Sequence, residues 1–114
     1  MAHDGDAGNL VMALYRPKPG KDAAVRALIA RHVPTLRSLA LATERPVLLL
    51  KAADGTYLEI FEWKPGAAQA AHTNPGVLEI WGPMHEAADF VRLADLEESG
   101  RPFPHFRAVE GVTV

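Results

Sequence analysis

The chain has 114 residues, with twelve Lys and Arg against fourteen Asp and Glu, a net charge of −2 and no cysteine. This length points to a single domain, and the missing cysteines exclude disulfides, thiolate metal ligands and cysteine nucleophiles. No basic run marks a nucleic-acid footprint, no apolar run nears the ~20 residues of a membrane-spanning helix, and "MAHDGDAGN" lacks the apolar stretch of a signal peptide. A cytoplasmic protein with neither nucleic acid nor membrane as partner is the expectation.

Residues 1–8 are small and polar and are expected to be a disordered or frayed N-terminus, with one domain over 9–114. "NLVMALYR" reads as a strand, with Leu10, Met12 and Leu14 on one face and Val11, Ala13 and Tyr15 on the other. Both faces are apolar, so cover is expected on both, and "PKPG" ends the strand. "KDAAVRALIARHVPTLRSLAL" has helical period: Val25, Leu28, Ile29, His32, Leu36 and Leu39 form one stripe. Pro34 should kink or split this helix. His32 lies near the stripe and reads as a packing or carbonyl-bonding residue.

"RPVLLLKAADGTYLEIFEW" reads as a hairpin around a two-residue Asp54-Gly55 turn. Along its second strand Leu58, Ile60 and Glu62 point one way, and Tyr57, Glu59, Phe61 and Trp63 the other. "PGAAQAAH" is a short helical turn. "TNPG" then starts a helix, with Thr73 or Asn74 as N-cap and Pro75 at the first helical position. Its predicted stripe is Val77, Trp81, Met84 and Ala88, bent at Gly82-Pro83. "ADFVRLADLEESGRP" is a transition, and "FPHFRAVEGV" reads as the last strand.

The predicted order is strand, helix, strand, strand, helix, strand. This is the βαββαβ, ferredoxin-like α+β arrangement: a four-stranded antiparallel sheet with both helices on one face. The open face is expected to carry Tyr57, Phe61 and Trp63. A patch of that size is larger than monomers usually expose, so a homodimer packed sheet to sheet about a two-fold axis is expected.

The element order, the "EIFEW" strand ending in Trp63 and the "AAQAAHTNPGVLEIW" segment resemble the antibiotic biosynthesis monooxygenase-like family of dimeric α/β-barrel proteins. The resemblance covers roughly residues 9–110. It implies a pocket in each subunit between sheet and helices, near the barrel rim. Some members oxygenate polycyclic phenols without metal or flavin, others degrade haem, and others have no known reaction. The haem-degrading branch pairs a first-strand asparagine with a tryptophan ending the third strand and a histidine on the second long helix. Here Trp63 matches, but the first-strand position falls near Ala13 or Leu14 and the helix position at or near Trp81. Both departures count against haem.

A cofactor-free oxygenase needs a base to make a substrate anion that reduces oxygen, and an apolar pocket to hold the ring. His72 and His85 are the candidate catalytic residues, since imidazole titrates near neutrality. Tyr15, Trp63, Trp81 and Glu59 are the candidate substrate-binding residues. Plainer readings stand beside these: His72 bonding a carbonyl of its turn or lying at the dimer seam, Trp81 in the core with His85 half-exposed, and Tyr15, which could donate to a ligand oxygen, as ordinary dimer packing. Glu59 would need a partner if buried, and Arg107 or His105 could supply one. The plainer readings for Glu59 are an inter-subunit ion pair or a water-filled barrel end. Trp63 and Trp81 are expected on opposite sides of the sheet. His85 and Asp89 have metal-compatible spacing but no further ligands, and no nucleotide or serine-hydrolase motif occurs, so no metal or cofactor is expected. The expected function is that of a cofactor-independent monooxygenase for a small aromatic or polycyclic compound. The alternative is a non-catalytic small-ligand-binding or assembly module.

Overall fold

The alternation of "NLVMALYRP" and "YLEIFEW" builds two long central strands, and everything else is laid against them. The computed structural model describes residues 8–112; most of the N-terminal segment expected to fray therefore lies outside the described residues, as do 113 and 114. The elements are β1 (Asn9–Pro17), α1 (Asp22–Ser38), β2 (Leu48–Lys51), β3 (Tyr57–Trp63), α2 (Ala67–Ala71), α3 (Pro75–Ala87), β4 (Ala88–Phe90) and β5 (Arg107–Ala108). Two single 3-10 turns, Leu93–Asp95 and Glu97–Gly100, link β4 to β5. The fold is α+β, with one antiparallel sheet in the order β4-β1-β3-β2-β5.

The sheet thus has five strands rather than four. The strand beside β1 is the three-residue β4, which follows α3 directly and pairs Tyr15 with Phe90. The C-terminal stretch instead adds only Arg107–Ala108 to the free edge of β2. A three-residue strand carries too little alternation to separate it from the end of the preceding helix.

Both helices run through their prolines. Pro34 and Pro83 sit inside α1 and α3 without ending them. Both prolines are exposed, so the carbonyl each deprives of a partner can turn to water, while Val33, Leu36 and Met84 hold the opposite face down. In α3 the buried stripe is Val77, Ile80, Met84 and Ala87. Trp81 stands at its half-buried margin, and Ala88 belongs to β4. Asn74 is the N-cap: its side chain accepts from the Gly76 N–H at 2.9 Å, with Pro75 behind it. The hairpin has a three-residue loop. Gly55 N–H donates to Ala52 O at 3.0 Å and Ala52 N–H to Thr56 O at 2.8 Å, with Gly55 at φ +94°. That is a type I turn closed by a left-handed glycine, which Ala53-Asp54-Gly55 suits better than a two-residue turn.

Cross-strand register pairs Val11 with Phe61, Ala13 with Glu59 and Tyr15 with Tyr57. These residues form the inner face, beneath α1 and α3. Tyr57 packs with Val25, Ile29, Ile80 and Met84, and Phe61 and Trp63 with Val33, Leu36 and Val77. The face expected to be open is therefore the covered one, and the argument for a dimer from wet aromatics does not hold. The outer face carries Leu10, Met12, Leu14, Leu48, Leu50, Leu58 and Ile60. One end of it, around Leu14, Ala52 and Leu58, is covered by Leu96, Val91 and Phe106 from the segment after β4. Leu10 and Leu48 remain 63% and 58% exposed.

Candidate active site

Between the inner face and α3 lies a pocket of about 400 Å³. Tyr15 and Ala13 reach it from β1, Phe61 and Trp63 from β3, His32 from α1 and Trp81 and His85 from α3. His72, which caps α2, and Phe90 of β4 complete the wall. Five of the six residues singled out from sequence thus converge: Tyr15, Trp63, His72, Trp81 and His85. The two tryptophans are walls of one pocket and are not separated by the sheet. Trp63 faces inward because the whole inner face does, and Trp81 leans over the margin of its helix stripe.

Glu59 does not line the pocket but lies directly behind its wall, fully buried. Its partners are neither Arg107 nor His105. Tyr15 donates its hydroxyl to Oε1 at 2.7 Å, and His32 Nδ1 lies 2.8 Å from the same oxygen. Arg107 and His105 are on or beyond β5, at the sheet's far edge, and both are exposed. In the sheet Glu59 is flanked by Ala13 and Leu49, which are apolar. Its second oxygen, Oε2, is buried without a hydrogen-bond partner.

His32 joins this carboxylate to the pocket. Trp81 Nε1 donates to His32 Nε2 at 2.9 Å. An indole N–H can only donate, so Nε2 holds a lone pair and the single ring proton is on Nδ1, directed at Glu59. The interior thus contains one continuous chain, Trp81 to His32 to Glu59 from one side and Tyr15 to Glu59 from the other. Every proton in it points toward Glu59. The Tyr15 hydroxyl is held well above the ordinary tyrosine range, first by burial and then by the charge and hydrogen bond of Glu59.

His32 was read from sequence as a packing or carbonyl-bonding residue, but it bonds two side chains and lines the pocket. A signal was present. A histidine on a buried helix stripe and a carboxylate on an aromatic strand face each need a partner, and pairing them would have placed that strand face under α1.

The other two histidines of the pocket, His72 and His85, stand at its mouth and are exposed. His72 Nδ1 donates to the Ala68 carbonyl at 2.8 Å, which leaves Nε2 as the lone-pair nitrogen of the neutral ring. Its ring meets Trp81 edge-on at 5.2 Å. His72 therefore bonds its own turn and lines the pocket at once. His85 stacks on Phe90 at 4.2 Å. Asp89 falls in β4 rather than one turn along a helix from His85. Among the described residues no three acidic or imidazole side chains gather to hold a metal, and no helix is long and apolar enough to cross a membrane.

No family model, no curated protein and no solved structure matches the chain.

Proposed function

We propose that the protein binds a small aromatic or polycyclic hydroxyl compound in this pocket and oxygenates it with molecular oxygen, without metal or flavin. The observation that carries this reading is the convergence of Tyr15, Trp63, His72, Trp81 and His85 on one largely apolar pocket of about 400 Å³, a volume suited to a small ligand. Aromatic walls hold a flat ring by edge and face contacts. A base removes a proton from the bound compound, and the resulting anion passes an electron to oxygen. For a ring methylene the balance is CH2 plus O2 giving C=O plus H2O, so no external reductant is required. His72 fits the base role, since its bond to Ala68 fixes which nitrogen is free.

The β4-β1-β3-β2 order with α1 and α3 on one face supports a ferredoxin-like frame, extended by β5 and α2, in line with the monooxygenase-like family that the sequence resembles. The aliphatic outer face, open at Leu10, Met12 and Leu48, supports pairing with a second copy into a barrel. Light scattering at micromolar concentration should give twice the chain mass, and a stable monomer would remove that part of the reading.

A second reading is a binding module without turnover. What favours it is that Tyr15, His32 and Trp81 spend their protons on one another and on Glu59, leaving an apolar receptacle. Oxygen uptake with a panel of polycyclic phenols separates the two. Turnover with one O2 consumed per product supports the oxygenase. Saturable binding with no uptake supports the module. Unchanged turnover in both His72→Ala and His85→Ala would remove those histidines from the mechanism.

A further inference from the structure

The hydrogen-bond chain behind the pocket has a direction, and the direction selects a ligand. Trp81 gives its only proton to His32, His32 gives its only ring proton to Glu59, and Tyr15 gives its hydroxyl proton to Glu59. Of these three wall residues, only the Tyr15 oxygen keeps unused hydrogen-bonding capacity, and that capacity is to accept. The sequence leaves Tyr15 as dimer packing or as a donor to a ligand oxygen; its proton is in fact committed to Glu59.

We propose that Tyr15 and Glu59 together take the hydroxyl proton of the ligand, leaving the ring C–H proton to His72, and that the pocket selects compounds presenting an acidic hydroxyl, a phenol or enol, to the Tyr15 oxygen. This rests on the aromatic-ligand reading above and deepens it. The step moves two protons and breaks no other bond. The ligand O–H proton passes to the Tyr15 oxygen as the Tyr15 proton passes to Glu59 Oε1. The products are a ligand oxyanion, a neutral Tyr15 and a protonated Glu59. His72 at the mouth is then available to meet the oxyanion or a later proton transfer.

Three further observations favour this assignment. Glu59 has no lysine or arginine in ion-pair contact among the described residues: β1 presents Tyr15 and Ala13, β2 presents Leu49, and α1 presents His32, whose Nε2 accepts from Trp81 of α3. Glu59 Oε2 is buried with no hydrogen-bond partner, so the carboxylate keeps an acceptor position that no donor in the protein fills. Both donors converge on Oε1, which marks it as an accepting carboxylate oxygen. Tyr15 itself resists ionisation because of its burial and its charged neighbour, so it conducts the proton and does not keep the charge.

The test uses 7-hydroxycoumarin and its 7-methoxy ether, two flat probes of nearly equal shape of which only the first can donate. Wild-type protein should bind the hydroxyl probe about tenfold or more tightly than the ether, as expected when one buried hydrogen bond is made or lost. The bound hydroxyl probe should show its anion absorption band at a pH where the free probe is neutral. Tyr15→Phe should lose both the preference and the band. Glu59→Gln should keep much of the preference but lose the band, because an amide cannot take up the proton. Circular dichroism establishes that each variant is folded, and either variant suffices. Equal affinity for the two probes, or an anion band that survives in the folded variants, would overturn the assignment. Failure of both probes to bind would overturn the aromatic-ligand reading beneath it, and this assignment with it.

Discussion

The two faces of the sheet use the same strands for opposite purposes. On the inner face Tyr57, Glu59 and Phe61 alternate along β3 beneath two helices, each at most 2% exposed. On the outer face their neighbours along β1 and β2, Leu10 and Leu48, are more than half exposed. The inner face mixes aromatic bulk with one polar network and leaves a pocket where Trp81 and Tyr15 hold the walls apart. The outer face is aliphatic between two polar ends, where Glu62 bonds Thr43 and Arg45 and Arg16 bonds Thr56 and Asp54, and its middle leaves Leu10 and Leu48 to solvent. In the function proposed above, chemistry falls to the first face and pairing with a second copy to the second.

Substitutions on β3 and its neighbours should grade accordingly. Phe61→Ala should cost the most, about 3–5 kcal/mol, because it empties a packed site between Val33, Leu36 and Val77; urea denaturation measures it. Glu59→Ala should follow at about 2–4 kcal/mol, since it leaves the Tyr15 hydroxyl and His32 Nδ1–H buried without an acceptor. A cost below that of an ordinary surface change would mean the network is not closed.

Tyr15 should also leave a signature in base. Its folded-state range is raised above the unfolded one, so the folded protein binds the proton more tightly. Its contribution is fully present below about pH 10 and declines as pH rises through and beyond the unfolded tyrosine range. Tyr15→Phe should flatten the loss of stability above that pH. An unchanged alkaline slope would show that burial of this hydroxyl is incomplete. Asn74→Ala, which removes the cap of α3, should cost about 1 kcal/mol. Leu48→Lys on the outer face should alter the stability of the isolated chain by less than about 0.5 kcal/mol, yet weaken self-association if that face is the seam. Ultracentrifugation against concentration reads both.

Much of this was legible in the residues. The alternation of β1 and β3, the stripe of α1, the cap at Asn74 and the short α2 follow from periodicity and capping chemistry alone. The convergence of Tyr15, Trp63, His72, Trp81 and His85 does not follow from them, since the sequence placed the two tryptophans on opposite sides of the sheet. The choice of face was not legible from alternation, because both sets of β3 side chains are mostly apolar and period two gives no sign. The polar exceptions carried it: Glu59 and His32 answer each other and fix the register of strand under helix. Short elements were lost for a different reason. β4 has three residues and β5 two, and they are set by pairing partners distant in sequence rather than by their own side chains.

The account turns on His32, which ties the covered face to the pocket wall. Nitrogen-15 NMR of the histidine rings, with His32→Gln to assign its signals, reads this directly. The hydrogen bonds predict the ring proton on Nδ1, slow to exchange with solvent, and Nε2 at the shift of an unprotonated acceptor. A ring protonated at Nε2, or one whose Nδ1 proton exchanges as freely as those of His72 and His85, would contradict it.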